Sequence, residues 1–170
     1  MDRREFLANT AALIPVVTAA QTPSLRDRVL GAWRIRDAET VNVTTGTTRP
    51  WLGRPRPYSG MIVYLPNGLM SVQIGAARTA ARAGAGFGTL TAEEKTTYAD
   101  TWYAYYGRFE IDEAESKVRH FIEGSLFAFE TGMTLVRTVR LVDGVLTLRT
   151  VDLLKGPDGE TFNQLTWTRI

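Results

Sequence analysis

The one histidine of the chain, His120, is the side chain best suited to acid–base chemistry. It alternates in register with Val118 and Ile122, so on a strand all three side chains would point to the same, inner face. A neutral imidazole there could bind a polar group of a ligand or transfer a proton. The alternative is a core histidine that is hydrogen-bonded to a neighbouring tyrosine.

Arg137 is the second candidate, because it alternates with Leu135, Val139 and Leu141. An arginine does not lose its charge, so an inward-facing Arg137 needs a buried acceptor or water. Asp37, on the inner face of an earlier strand, is one candidate partner, and a carboxylate or enolate of a ligand is another. If Arg137 lies near a strand end, its side chain simply reaches solvent.

Tyr103 and Tyr105 share a face with Phe109 in a run that alternates between apolar and polar residues. Their hydroxyl groups would suit an aromatic or polyketide-like ligand whose oxygen atoms need hydrogen-bond donors. Tyrosines on a strand also serve simply as packing groups, and the sequence leaves both roles open.

Several other chemistries lack support. The chain has no cysteine and one histidine, which rules out thiolate and histidine-rich metal sites, and we expect neither a metal nor a cofactor. The run 84–88 lacks the Lys-Ser/Thr of a phosphate loop, and 124–126 lacks the Gly-x-Ser-x-Gly turn of hydrolases. Glu110 and Glu123 fall on outward positions, which argues against a glycosidase carboxylate pair.

Composition and charge limit the class of protein and its partners. The length of 170 residues, with 44% hydrophobic and 22% charged residues, fits one globular domain with a substantial core. A net charge of +2 and a pI of about 9.1, without a basic stripe, give no support for nucleic-acid binding.

The stretch from Tyr105 to Thr150 organises the predicted fold, because it alternates between apolar and polar residues over four strands. Asp143-Gly144 lies between two of them and favours the left-handed conformations of a tight hairpin turn. Upstream, a first strand opens at 31–33, and a hairpin follows at 60–74. The inner face of the first strand would carry Trp33, Ile35 and Asp37.

Eight strands result, with a short helix from Ala92 to about Thr101 between strands 3 and 4, predicted by the capping box at 91–94. The long connections fall at one end of the sheet: 40–58, 75–101, 125–132 and 154–160. Eight antiparallel strands can close on themselves, which leaves an interior wide enough for one small ligand. We therefore predict an all-β, eight-stranded, antiparallel up-and-down barrel with one open mouth, near Trp51 and Phe127.

Residues 1–20 resemble a twin-arginine export signal. Arg3 and Arg4 stand just before two apolar residues, and the apolar run 11–20 suits a signal peptide but is too short to span a bilayer. We therefore expect a signal at 1–20, a barrel domain at 21–170, no membrane span, and a periplasmic or secreted protein.

Four stretches resemble the lipocalin-like domain proteins of bacteria and fungi: 31–33, 60–73, 105–112 and 120–127. The likeness covers essentially the whole chain after the signal. It implies a calycin barrel in which the tryptophan of a Gly-x-Trp motif closes the floor and a late arginine packs on that ring. Gly31, Trp33 and Arg169 would take these structural roles.

Our leading hypothesis is a barrel that binds a small hydrophobic or aromatic molecule in its cavity. The contacts would come from Tyr103, Tyr105, Phe109, His120, Arg137, Trp51 and Phe127. The alternative is a cofactor-independent isomerase, cyclase or dehydratase acting on a polyketide-like substrate, with His120 as acid or base and with Arg137 and Tyr105 as oxyanion stabilisers. A third alternative is an interaction module whose own side chains fill the cavity.

The loops of the predicted mouth carry charges of both signs. Positive charge, which would favour an anionic ligand, comes from Arg49, Arg54, Arg56, Arg78 and Arg82. Negative charge, which would oppose it, comes from Glu93, Glu94, Glu130, Asp158 and Glu160. The sequence leaves open whether the ligand is anionic, and whether the protein is a monomer or a homodimer.

Overall fold

The computed structural model of the protein describes residues 22–157 and 159–170. The predicted export signal at 1–20 lies outside the described residues. The helices are α1 (Leu25–Val29) and α2 (Ala92–Asp100), and 3-10 turns cover Trp51–Gly53 and Ala128–Glu130. The strands are β1 (Gly31–Asn42), β2 (Thr48–Pro50), β3 (Ser59–Tyr64), β4 (Leu69–Gly75), β5 (Trp102–Asp112), β6 (Lys117–Ser125), β7 (Thr134–Val142), β8 (Val145–Thr150), β9 (Leu154–Gly156) and β10 (Gly159–Arg169).

The sheet closes into a barrel because its first and last long strands pair. The eight long strands follow the order β1-β3-β4-β5-β6-β7-β8-β10, and β10 pairs antiparallel with β1, from Asn42↔Thr161 to Trp33↔Arg169. The three-residue strands β2 and β9 extend the pairing of β1 and β10 beyond the barrel wall. This confirms the predicted antiparallel barrel, and α2 lies between its third and fourth strands as expected.

The two ends of the barrel differ in their connections. At the narrow end β7 and β8 meet at Asp143-Gly144, where φ is 50° and 74°, as the sequence predicts for a tight hairpin. At the other end lie the long connections, which carry α2 and both 3-10 turns. The Thr91–Glu94 capping box forms as predicted, with Thr91 accepting from the Glu94 backbone and Glu94 from the Thr91 backbone.

One prediction for the first strand is wrong. A β-bulge between Ile35 and Asp37 shifts the register of β1 against β10, so that Ala38 and Thr40, and not Asp37, are buried beyond it. The Asp37 carboxylate instead lies 2.8 Å from the guanidinium of Arg56. Asp37 is therefore not the inward partner of Arg137.

The narrow end is closed by an aromatic ring and a cation. Trp33 is fully buried, and its indole N–H donates to the carbonyl of Val29 at 2.8 Å. The Arg169 guanidinium lies 4.2 Å from the centre of the Trp33 ring and donates to the carbonyls of Leu30 and Arg28. This is the packing that the family resemblance implies for Gly31, Trp33 and Arg169. Gly31 has φ of +117°, and a Cβ there would lie 2.9 Å from Arg169 Nη1.

Candidate ligand-binding cavity

A cavity of about 380 Å³ occupies the barrel interior and reaches the surface at the end that carries the long connections. Its apolar wall consists of Trp51, Leu52, Ile62, Val72, Ile74, Phe127, Phe129, Met133, Leu135, Leu148, Leu154, Leu165 and Trp167. Its polar groups are Tyr103, Tyr105, His120, Glu130, Arg137, Thr150, Asp152 and Asn163. The volume falls in the range of small-molecule sites, which are typically about 300–1,000 Å³ and mostly apolar.

His120 lies in the wall of this cavity, with both ring nitrogens in hydrogen bonds to tyrosines. Its Nε2 is 2.9 Å from the Tyr64 hydroxyl and its Nδ1 is 2.7 Å from the Tyr105 hydroxyl. The side chain is 1% exposed. The strand pairing Phe109↔His120↔Leu135 places it in the middle of the wall. His120 therefore combines the two arrangements considered from the sequence: it faces the cavity, and it is also hydrogen-bonded to tyrosines.

The hydrogen-bonded cluster of Tyr64, His120 and Tyr105 is neutral, because burial and a neighbouring charge shift the pKa values of its members. Burial, with the positive charge of Arg137 as the second cause, lowers the pKa of His120 to about 3. Burial also raises the pKa of Tyr105 to about 12, although Arg137 acts in the opposite direction. The pKa of Tyr64 is raised as well, because that side chain is fully buried. At neutral pH the cluster consists of one neutral imidazole and two neutral phenols.

Arg137 also faces the cavity, as predicted for its inward position on β7. Within the described part of the chain its guanidinium makes one hydrogen bond, from Nη1 to the carbonyl of Val136 at 3.0 Å. Among the described residues, no carboxylate lies within ion-pair distance of Arg137. The alternative that Arg137 escapes to solvent at a strand end is not what the structure shows, because the half-buried side chain belongs to the cavity wall.

Glu130 is a polar group of the site that the sequence placed only in a loop. Its carboxylate accepts hydrogen bonds from the Tyr103 hydroxyl at 3.0 Å and from the Ser125 hydroxyl at 2.7 Å. The 3-10 turn at Ala128–Glu130 brings it back over the start of β5. The sequence does not indicate the contact between Ser125 and Glu130, because it is the 3-10 turn that brings the two side chains together.

Aromatic side chains form one side of the mouth. The ring centres of Trp51 and Tyr103 are 5.4 Å apart, those of Tyr103 and Tyr105 are 5.5 Å apart, and those of Phe127 and Phe129 are 5.8 Å apart. Of the predicted contact residues, six line the cavity: Trp51, Tyr103, Tyr105, Phe127, His120 and Arg137. Phe109 does not, because it packs against Tyr64 on one side and lies under Arg26 on the other.

The arginines of the mouth loops do not line the cavity, although Arg54 packs on two aromatic rings of the mouth, those of Trp51 and Tyr103. Arg56 pairs with Asp37 and Glu39, and Arg82 pairs with Glu94. Arg54 lies 4.9 Å from the centre of the Trp51 ring, and Arg78 lies 5.5 Å from that of Trp102. Neither these nor Arg49 belong to the cavity wall, so within the described residues Arg137 is the one arginine or lysine that lines the cavity.

Two further features are relevant to the site. Within the described ranges, no helix is both long and apolar enough to cross a membrane. The described residues also contain no group of three or more His, Asp or Glu side chains placed to hold a metal ion.

The fold and cavity define a class of protein. Eight antiparallel strands in up-and-down order around an apolar cavity are the architecture of the lipocalin-like barrels. The family described as Lipocalin-like domain matches residues 30–170. The chain belongs to this family, as its four sequence stretches indicated. No curated protein matches the chain.

Proposed function

We propose that the protein binds a small apolar or aromatic molecule inside the barrel. The observation that carries this proposal is the cavity of about 380 Å³, which has a largely apolar wall and reaches the surface at one end. A barrel used only as an interaction module would fill this space with its own side chains, and the large residues Trp51, Tyr103 and Phe127 stand around the space rather than in it.

Binding explains the polar cluster better than catalysis does. A general base should have a pKa near the working pH, whereas the pKa of His120 is lowered to about 3. Both ring nitrogens are also occupied by Tyr64 and Tyr105, so neither is free to accept a proton from a substrate. The isomerase or cyclase alternative therefore loses the support of His120, the residue assigned to it as acid or base, while Tyr105 and Arg137 remain available as binding groups.

A large side chain that fills the cavity should strongly weaken the binding of a small apolar molecule. In Leu135→Trp, a half-buried residue of the cavity wall becomes an indole that occupies the space beside His120. We expect the affinity for N-phenyl-1-naphthylamine, a neutral fluorescent dye, to fall at least tenfold, measured by fluorescence titration.

The matched control is Met61→Trp, which adds the same side chain at an outward position of β3 that is 46% exposed. Circular dichroism and thermal melting would establish that both variants fold. Unchanged dye affinity in a folded Leu135→Trp protein would argue against binding in the cavity.

We also propose that residues 1–20 direct export. Replacing Arg3 and Arg4 by lysine keeps the charge but removes the arginine pair that twin-arginine signals require. In a bacterial host we expect the full chain to move to the periplasm and the lysine variant to stay in the cytoplasm, as followed by cell fractionation. Equal export of both proteins would exclude this route.

A further inference from the structure

We propose that Tyr105 and Arg137 form a subsite of hydrogen-bond donors that binds an anionic oxygen group of the ligand, a carboxylate, enolate or phenolate. This inference rests on the proposed function and names the chemical class of the ligand: an apolar or aromatic frame that carries one such group.

The hydrogen-bond chain Tyr64–His120–Tyr105 has one favourable direction. A neutral imidazole has one N–H donor and one acceptor nitrogen, so one tyrosine must donate to the ring and the other must accept from it. Tyr64 is completely buried, and among the described residues its hydroxyl has His120 as its one hydrogen-bond partner. If Tyr64 accepted from Nε2–H, its own O–H would be left buried and unpaired, which is unfavourable.

The favoured arrangement therefore leaves a free donor at the cavity. Tyr64 donates to Nε2, Nδ1–H donates to the Tyr105 oxygen, and the Tyr105 O–H has no acceptor among the described residues. Tyr105 belongs to the cavity wall, whereas Tyr64 does not. His120 is thus a positioning residue, which fixes the Tyr105 hydroxyl as a donor towards the ligand.

Arg137 supplies the positive charge for this subsite: it lines the same cavity, and its charge acts on both Tyr105 and His120. Its guanidinium has five N–H donors, and the carbonyl of Val136 accepts from one nitrogen only. Since arginine stays charged and a partly desolvated cation is strongly stabilised by an anion, an acidic ligand group is its natural partner.

The acidic residues of the cavity wall do not neutralise Arg137. Glu130 is held by Tyr103 and Ser125, and Asp152 is exposed in the segment that follows β8. Neither carboxylate contacts Arg137 within ion-pair distance. An anion at the mouth would meet these two negative charges. An anion beside Arg137 and Tyr105 would meet hydrogen-bond donors and a cation, which oppose the charge of Glu130 that also acts on Tyr105.

A matched pair of dyes tests the proposal. N-phenyl-1-naphthylamine and 8-anilinonaphthalene-1-sulfonate share one aromatic frame, and the second adds a sulfonate that stands in for the anionic oxygen group. In Arg137→Met we expect the affinity for the sulfonate to fall at least tenfold and the affinity for the neutral dye to change less than about twofold. Arg137→Lys should recover part of the loss, because it restores the charge without the planar fork.

The outcomes separate the subsite from the cavity. If folded Arg137→Met binds both dyes as the wild type does, or loses affinity for both equally, the subsite is excluded. Binding of the neutral dye by the wild-type protein would still support the cavity. If the wild type binds neither dye, both proposals fail.

The direction of the hydrogen-bond chain has a spectroscopic test. Because His120 is the single histidine, a long-range ¹H–¹⁵N spectrum of the untagged protein contains one imidazole. We expect the neutral tautomer with the proton on Nδ1, and a loss of roughly tenfold in sulfonate affinity in Tyr105→Phe. A proton on Nε2, or sulfonate binding unaffected in Tyr105→Phe, would overturn the assignment of Tyr105 as the donor.

Discussion

The barrel should lose about 1.6 kcal/mol of unfolding free energy when the pH falls from 6.5 to 5, because of His120 alone. In the folded protein, burial and the charge of Arg137 lower the pKa of His120 from 6.5 to about 3, so the ring stays neutral. In the unfolded chain the same ring binds a proton as the pH falls through 6.5. The unfolded state therefore binds more protons, and folding stability decreases with decreasing pH until about pH 3.

Urea unfolding at several pH values measures this dependence. The two tyrosines bonded to the ring have pKa values raised above their ordinary value of 10 by burial, so neither changes its charge between pH 5 and 6.5. Asp37, Glu94 and Asp112 also have lowered pKa values, held down by hydrogen bonds and ion pairs, although burial works in the opposite direction at each. Their ordinary values of 3.8 and 4.5 confine their effect to lower pH.

His120→Gln is the matched control, since glutamine can bond both tyrosines but does not titrate. Its stability should be nearly constant from pH 6.5 to 5. A flat wild-type profile, or an equal slope in the variant, would show that the folded protein protonates His120 as freely as the unfolded chain does.

Gly107→Ala should destabilise the barrel by about 3 kcal/mol or more. Gly107 follows a bulge in the pairing of β5 with β6, and there the two backbones approach closely. A Cβ at this position would lie 1.9 Å from the carbonyl oxygen of Phe121 and 2.9 Å from the backbone nitrogen of Glu123. These are backbone atoms, so no side-chain rotation relieves the overlap.

Gly156→Ala is the control for the change from glycine to alanine itself. A Cβ at Gly156 in β9 would meet no atom within 4 Å, so we expect a change of less than about 1 kcal/mol. Thermal and urea unfolding of the two variants compare them directly. Similar stabilities would mean that the bulge of β5 adjusts freely to a side chain.

The strands that the sequence predicts best are those with an unbroken period of two. In β5, Tyr105, Gly107 and Phe109 are buried and the residues between them are exposed, as the sequence predicts for the face that carries Tyr105 and Phe109. Asp143-Gly144 adopts the predicted turn because its two residues tolerate positive φ. In both cases local chemistry determines the structure.

The first strand departs from its prediction for a reason that the sequence does not carry. The bulge between Ile35 and Asp37 is set by the register of β1 against β10, which are more than a hundred residues apart. Beyond the bulge every inward position changes by one residue, which turns Asp37 outward to Arg56 and brings in Thr40. Period-two reasoning fails wherever a long-range pairing inserts one residue.

The sequence predicted several residues of the cavity wall but not the contacts between them. Inward positions of β5, β6 and β7 gave Tyr105, His120 and Arg137 correctly as neighbours of one cavity. Tyr64, the second partner of His120, lies on β3 and shares its face with Ile62, so its inward position was available from the alternation. Its contact with His120 was not, because the strands meet only when the barrel closes.

Location of a bound molecule tests the central claim most directly. With the neutral dye bound to the wild-type protein, nuclear Overhauser effects from dye protons to the ring protons of His120 would report a molecule inside the barrel. The histidine is unique and 1% exposed, so these signals have one source. We predict them together with contacts to Tyr105. Contacts confined to exposed rings outside the cavity, such as Phe87 and Tyr106, with none to His120, would contradict the account.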